Sequence, residues 1–231
     1  NSPIVSTTPT AFIDSGTKDC LKVTLKSGRE LIVTPEHPFM TARGWCPADQ
    51  LEIGHHVATV GRLPAPSSPV RMQEAEIIVL ANMIAEGGCT GLTPHFTNMD
   101  KSIQEGMNSA LEILNCELNP ISKSPGNFTV RIKDHRTKTN NVVTLLEKHK
   151  VYWKKSIHKT IPDSVFALPT DQLALFLSQY WACDGSIEAS GVVSASTGSK
   201  KLAFQIQHLL LRFGVQSRIR KVWRKVNHGK S

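Results

Sequence analysis

No stretch of this sequence stays apolar for the ~20 residues a membrane-spanning helix needs, so no membrane partner is expected. The opening residues Asn1-Ser-Pro-Ile-Val-Ser lack a charged region followed by an apolar one, so no secretory signal is expected. Cysteine is scarce and scattered. Cys20, Cys46, Cys89, Cys116 and Cys183 are odd in number and form no C-x-x-C pair, so neither a zinc site nor a disulfide framework is indicated. The setting this implies is reducing and cytoplasmic. The chain does not begin with Met, and the expectation is a fragment or an excised piece.

What the 231 residues do carry is an uneven charge. Residues 1–64 hold six Lys/Arg and six Asp/Glu. The remaining 21 basic and 13 acidic side chains lie in 65–231, which therefore holds the whole net charge of +8. Such asymmetry points to a polyanionic partner for the second part, against the alternative of a merely soluble basic surface. The Pro- and Ser-rich run Gly61-Arg-Leu-Pro-Ala-Pro-Ser-Ser-Pro-Val70 coincides with the charge boundary and reads as a linker.

Within the basic part, Leu173, Phe176, Leu177, Tyr180 and Trp181 recur at three- and four-residue spacing and predict one face of a helix. Gly185 is the expected stop, in the left-handed conformation glycine adopts cheaply. Asp184 then falls in the last turn, where the helix dipole disfavours an anion by roughly 0.3–1 kcal/mol. A bound cation is one reason for a carboxylate there; a solvated aspartate before a turn is the other. A second apolar helical run, Ile78-Val-Leu-Ala-Asn-Met-Ile-Ala-Glu-Gly87, also ends in acid then glycine. Its helix is expected over 73–86, where Ala81 and Ala85 would let another helix approach closely, or are simply good helix formers.

The two runs belong to an internal repeat. Glu86 and Asp184 are 98 positions apart (184 − 86), and Lys101/Lys200, Ile103/Leu202, Leu111/Leu210 and Asn115/Gly214 are each 99 apart. Asn115 and Gly214 are the residue types that best tolerate a left-handed helix end. Two such copies commonly pack about a pseudo-two-fold axis, and if the acid-ending helices pack together their carboxylates converge. Paired carboxylates with backbone carbonyls suit Mg²⁺, which prefers oxygen ligands; Mn²⁺ is not distinguished from it.

The region before residue 70 reads as all-β. Leu21, Val23 and Leu25 alternate with Lys22, Thr24 and Lys26, Ser27-Gly28 supplies a turn, and Arg29 to Thr34 returns as a strand. His37, held between Pro35 and Pro38, sits on a rigid loop three residues after Thr34, and its chemistry alone leaves a structural and a catalytic role equally open.

Gly28…Thr34-Pro-Glu-His37-Pro-Phe39…Gly44-Trp45…Leu51…Gly54 resembles a block of the inteins, whose Hint fold is shared with hedgehog autoprocessing domains. The resemblance implies that Thr34 and His37 polarise the peptide bond at an N-terminal splice junction, with His37 protonating the departing amide nitrogen. His55 departs from it, standing where that family usually has Asp. The paired runs ending Ala-Glu86-Gly and Cys-Asp184-Gly resemble the LAGLIDADG homing endonucleases. Tyr180-Trp-Ala-Cys-Asp-Gly185 and Leu209-Leu-Leu-Arg-Phe-Gly214 are similar to runs in inteins of DnaB-type replicative helicases, which implies such a helicase as host.

That second resemblance implies catalytic and metal-binding roles for Glu86 and Asp184, and saddle-shaped sheets lying in the DNA major groove. Arg131 and Lys133 on the β-prone run 128–133, with Arg136 and Lys138 after it, are the candidate contacts from the first copy. Arg218, Arg220 and Arg224, on a strand expected over 216–224, are those from the second. Ordinary solvent-facing strands are the alternative. Lys159-Thr-Ile-Pro162 resembles the family's K-x-I-P block, which implies a role for Lys159 near the scissile phosphate; Lys155 is a close competitor, and a lysine before a proline-started helix is the bland alternative.

The expected fold class is α+β. A partial all-β Hint domain over 1–64 is followed by a pseudo-two-fold LAGLIDADG endonuclease with αββαββα-like repeats over 65–231. The expected function is metal-dependent double-strand cleavage of a long duplex DNA site by a monomer, within exteins of a DnaB-type host. The chain starts at Asn1, with no splice-start residue, and Asn227-His228 reverses the splice-end order, so self-splicing of this fragment is not expected. The alternatives are a DNA-binding protein that keeps the fold without cutting, and a splicing-only intein with a decayed nuclease.

Overall fold

Gly28 turns the first hairpin at φ +87°, a value an L side chain rarely adopts. The computed structural model describes residues 7–134, 136 and 139–222. Its contacts divide the chain into two units, one of 65–209 and one that joins 1–64 to 210–231.

In the first unit, β1 (Leu21–Thr24) pairs antiparallel with β2 (Glu30–Val33), and β3 (Pro38–Thr41) with β4 (Gly44–Pro47). Its only helical stretch among the described residues before 65 is a single 3-10 turn at Ala48–Gln50. Residues 210–222 join it through the backbone: Leu63 N donates to Leu211 O at 2.9 Å and Ile219 N to Ser27 O at 3.0 Å. This corrects one expectation. Residues 216–222 form no regular strand, and Ile219, between Arg218 and Arg220, is bonded to the β1–β2 turn.

The second unit begins with α1 (Glu74–Ala85), which is apolar on nearly every side and buried from Ala75 through Ile84 save Glu76 and Ile78. Such a helix belongs at the centre of a core rather than at its surface. It packs along α5 (Thr170–Asp184), which buries Leu173, Phe176, Leu177 and Tyr180. After α1 come β5 (Gly87–Gly88), β6 (His95–Thr97), α2 (Lys101–Ile113), β7 (Cys116–Pro120), β8 (Asn127–Ile132) and α3 (Asn141–Lys148). The four strands make one antiparallel sheet in the order β5-β6-β8-β7. The short α4 (Asp163–Phe166) precedes α5, which is followed by the hairpin β9 (Gly185–Ile187) and β10 (Val193–Ala195) and then by α6 (Lys200–Leu210).

The repeat shows in the caps as well as the elements. Asp100 Oδ1 accepts the amides of Ser102 and Ile103 ahead of α2, and 99 positions on Ser199 Oγ accepts that of Leu202. Asn98 Oδ1 accepts Asp100 N at 2.8 Å, and Thr197 Oγ1 accepts Ser199 N at 3.2 Å. Asn115 (φ 57°) and Gly214 (φ 72°) end the matching helical stretches in the left-handed region, as their residue types predicted. The first copy runs helix, hairpin, helix, hairpin, helix. The second shows helix, hairpin and helix among the described residues.

Gly87 and Gly185 follow a different rule from the one expected. Gly185 is extended (φ −83°), not left-handed. Both glycines are required by close approach: a Cβ on Gly87 would strike Met83 O, and one on Gly185 would strike Trp181 O, each four residues earlier in the helix.

Candidate active site

Ties at both ends set α1 and α5 parallel. At their N-terminal ends the Gln172 amide accepts Met72 N at 3.0 Å and donates to Met72 O at 2.6 Å, while Arg71 pairs with Asp171 at 2.6 Å. At their C-terminal ends Cys183 Sγ donates to Asn82 Oδ1 at 3.4 Å. Glu86 caps α1 and Asp184 closes α5, so the pairing carries both carboxylates to one end.

Burial shapes both acids. The Glu86 carboxyl is pushed above the usual carboxylate range by desolvation, and further by the charge of Asp184; the Asn98 amide and Lys159 pull against this. Asp184 is raised by desolvation, opposed by the Tyr180 hydroxyl, which faces its carboxylate outside strict hydrogen-bond geometry, and by Lys159. Cys183 is pushed up to about 12 by burial and by the two carboxylates.

Lys159 lies underneath. It is only 6% exposed, and Nζ donates to the carbonyls of Met83 and Ala85 at 3.2 Å each. Both carbonyls belong to the last helical turn, and Met83 O also accepts the Glu86 amide, so the ammonium closes the end of α1 and complements its dipole. Burial lowers the Lys159 pKa, and the charges of Cys89, Asp184 and Glu86 oppose that shift.

Asn98 is a functional candidate that sequence reasoning missed. Buried Asn98 donates to Glu86 Oε2, while its own carbonyls accept Asp100 N and Gln104 Nε2, which fixes the amide. The signal available was its repeat partner Thr197, a second polar residue two positions ahead of a cap.

The sheet offers a polar face. By register His95 lies opposite Gly88 and Thr129, Thr129 opposite Asn119, and Arg131 opposite Glu117, so these side chains share one side. Phe96, Leu118, Phe128 and Val130 share the other, where Phe96 and Val130 are wholly buried. Of the predicted DNA contacts from the first copy that are among the described residues, Arg131 is the one on this polar face. Lys133 lies beyond β8 and pairs with Glu112 of α2 at 2.9 Å, and Arg136 pairs with Asp134 at 2.8 Å. Arg218 and Arg220 are exposed residues of the first unit; Lys138 and Arg224 lie outside the described residues.

In the first unit His37 N donates to Thr34 O at 3.0 Å, and the loop is held by Ala48 N on His37 O (2.9 Å) and Asp49 N on Pro35 O (3.0 Å). The His37 ring meets the buried Phe39 ring edge-on at 5.4 Å. The Thr34–His37 link is thus a backbone one, and the Thr34 hydroxyl serves the Glu36 carboxylate.

With this geometry in place, one family model starts at the helix that ends in Asp184, and the relatives match nearly the whole chain. Residues 171–231 match the LAGLIDADG-like domain. That match supports a homing-endonuclease type of function. The chain is 29% identical over 224 residues to the replicative DNA helicase DnaB of Rhodothermus marinus, covering 90% of this chain and 23% of the helicase. It is 30% identical over 228 residues to the protein RecA of Mycobacterium tuberculosis, covering 94% and 28%. It is 28% identical over 224 residues to the replication factor C small subunit of Methanocaldococcus jannaschii, covering 92% and 11%. The chain thus spans between 11% and 28% of the length of these relatives.

Proposed function

We propose that residues 65–209 carry a site-specific DNA endonuclease of the homing type, lodged in an intein whose Hint portion includes residues 1–64. The convergence of Glu86 and Asp184 carries this reading. The charge of Asp184 raises the proton affinity of Glu86 at the shared end of two helices, where the ammonium of Lys159 acts on both acids, and a bound cation would further favour the ionised pair. Among the described residues no group of three or more His, Cys, Asp or Glu side chains is placed to hold a metal. A cation here therefore has two protein carboxylates and leaves its other positions to water and substrate phosphate, as Mg²⁺ does. Bound there, Mg²⁺ or Mn²⁺ would activate water and stabilise the leaving oxygen in phosphodiester hydrolysis.

This chain's own residues do the rest. Asn98 orients the Glu86 carboxylate. Lys159 fixes the end of α1 and supplies positive charge beside both acids. The polar face of His95, Thr97, Asn119, Thr129 and Arg131 offers donors and acceptors to base edges, and Lys133, Arg136, Lys138, Arg218, Arg220 and Arg224 remain candidates for phosphate contacts. Thr34 and His37 are the proposed splice-junction pair.

An intein context is supported by the relatives. The replicative DNA helicase DnaB, the protein RecA and a replication factor C small subunit have different names, yet each is similar to nearly all of this chain over a small share of its own length. An element carried inside each explains this, and helicase chemistry in this chain does not. The test is cleavage of a plasmid bearing the uninterrupted gene of a DnaB-type host, with Mg²⁺ and with EDTA. A single Mg²⁺-dependent double-strand break near the insertion point is expected. Salt-sensitive binding without any break would instead establish the DNA-binding, non-cutting alternative.

A further inference from the structure

The turn after α3 carries a group of lysines outside the proposed cleavage site. Lys154 Nζ is held by Thr160 Oγ1 at 2.8 Å, and the ammonium groups of Lys150 and Lys201, one from the end of α3 and one from the first turn of α6, bear on it electrostatically. Lys133, Arg136, Arg71, Lys18 and Lys22 each have a carboxylate partner within 3.2 Å. Among the described residues Lys150, Lys154 and Lys201 form no ion pair with any acid. Ser199 Oγ donates to Lys159 O at 2.7 Å, which seats the start of α6 beside the segment that carries Lys154, and like charges brought together there suit an anionic partner.

Trp153 lies between Lys150 and Lys154 in the chain. Its backbone is left-handed (φ 60°), as is that of Lys150 (φ 56°), although neither residue is one that favours this region. Trp153 N donates to Cys89 O at 2.7 Å, the Tyr152 hydroxyl donates to Gly91 O at 2.7 Å, and the two rings meet edge-on at 5.1 Å. These bonds lock the turn onto the chain just after β5, the edge strand of the sheet. They leave the indole 57% exposed. Backbone strain that displays a large apolar ring to solvent contributes nothing to the core, and strain of this kind gathers at binding sites.

We propose that Lys150, Lys154 and Lys201 bind the phosphate backbone of duplex DNA at the β5 edge of the sheet, with Trp153 packed against the sugars between those phosphates. The proposal rests on the endonuclease reading, since the same duplex must lie on the polar sheet face. It adds an anchor beside that face. Lysine ammoniums suit phosphate as point charges, and an exposed indole between them suits the apolar faces of deoxyribose.

The test measures binding of the full chain to a labelled, mixed-sequence DNA duplex across a salt series. Neutralising Lys150, Lys154 and Lys201 together to Gln should flatten the log K against log salt slope by about 2–3, near 0.9 for each phosphate that no longer meets an ammonium. The matching triple substitution to Arg should keep the wild-type slope. Trp153→Gly, which relieves the left-handed backbone, should raise the thermal midpoint while weakening binding roughly tenfold at unchanged slope. A triple-Gln protein with the wild-type slope overturns the proposal and leaves the endonuclease reading standing. A Trp153→Gly protein that binds as tightly as wild type overturns the role of the indole. A wild-type chain that binds no duplex at any salt concentration overturns both.

Discussion

Lys159 Nζ lies 3.2 Å from the Ala85 carbonyl, immediately before Glu86, so a residue 73 positions further along the chain closes the helix that presents the acid. Removing this ammonium takes a donor from the part-buried Ala85 carbonyl and leaves Met83 O with the Glu86 amide. Lys159→Met should cost about 1–3 kcal/mol, read as a lower urea midpoint at unchanged slope. An unchanged midpoint would show that the helix end needs no cap.

Glu86→Gln and Asp184→Asn should each reduce plasmid cleavage by roughly a hundredfold or more, beyond the 10–100-fold typical of removing a residue that only orients a metal ligand. Duplex binding should survive both. Asn98→Ala should fall within that smaller range, because the Glu86 carboxylate keeps its charge but loses its orienting amide. Wild-type cutting by Asp184→Asn would remove this residue from the site.

Both carboxyls are raised above their ordinary values, so the unfolded chain ionises first. Their contribution to stability is complete below the unfolded values of 4.5 for Glu86 and 3.8 for Asp184, and is lost as pH rises through the folded ones. Without metal, wild type should therefore lose stability on that rise relative to a Glu86→Gln, Asp184→Asn double variant. At neutral pH, Mg²⁺ should raise the thermal midpoint of wild type and leave that of the double variant unmoved. A double variant stabilised equally by Mg²⁺ would place the cation elsewhere.

His149 has the opposite sign. Its Nδ1 meets Ser164 Oγ at 2.8 Å, Nε2 is buried without a partner, and burial, then Lys148, lower its pKa, with Glu76 opposing. The stability it contributes is present above its unfolded value of 6.5 and is lost as pH falls through and below it. His149→Gln should flatten the loss of stability between neutral and mildly acidic pH, measured by urea unfolding. An unaltered profile would assign the acid sensitivity to other groups.

Glycines divide by what surrounds them. Gly87→Ala and Gly185→Ala drive a methyl into a helix carbonyl and should cost about 1–3 kcal/mol, with loss of cleavage because each glycine adjoins an acid. Gly106 lies within α2 with nothing within 4 Å of an added Cβ, and Gly106→Ala should stabilise by roughly 0.5–1 kcal/mol. Thermal melts of the three variants check the signs together.

The sequence by itself determined the elements whose causes are local. The constant offset, the acid-glycine endings, the caps at Asp100 and Ser199 and the left-handed ends at Asn115 and Gly214 all rest on neighbours within a turn or two. So does the Ser27-Gly28 hairpin. Only the tertiary structure decided what those elements meet. Parallel packing of α1 on α5 depends on Gln172, Arg71 and Cys183 finding partners about a hundred residues away. Gly185 followed the space beside Trp181 rather than its own backbone preference. Lys133 read as a strand position but turned to Glu112, and Arg218 and Arg220 read as a strand of the second copy but went with the first unit, through Ile219 on Ser27. The polar sheet face escaped notice because β6 is three residues long, too short for alternation to show until β8 pairs beside it. Periodicity records which residues share a side; it carries no record of the partner that side will face.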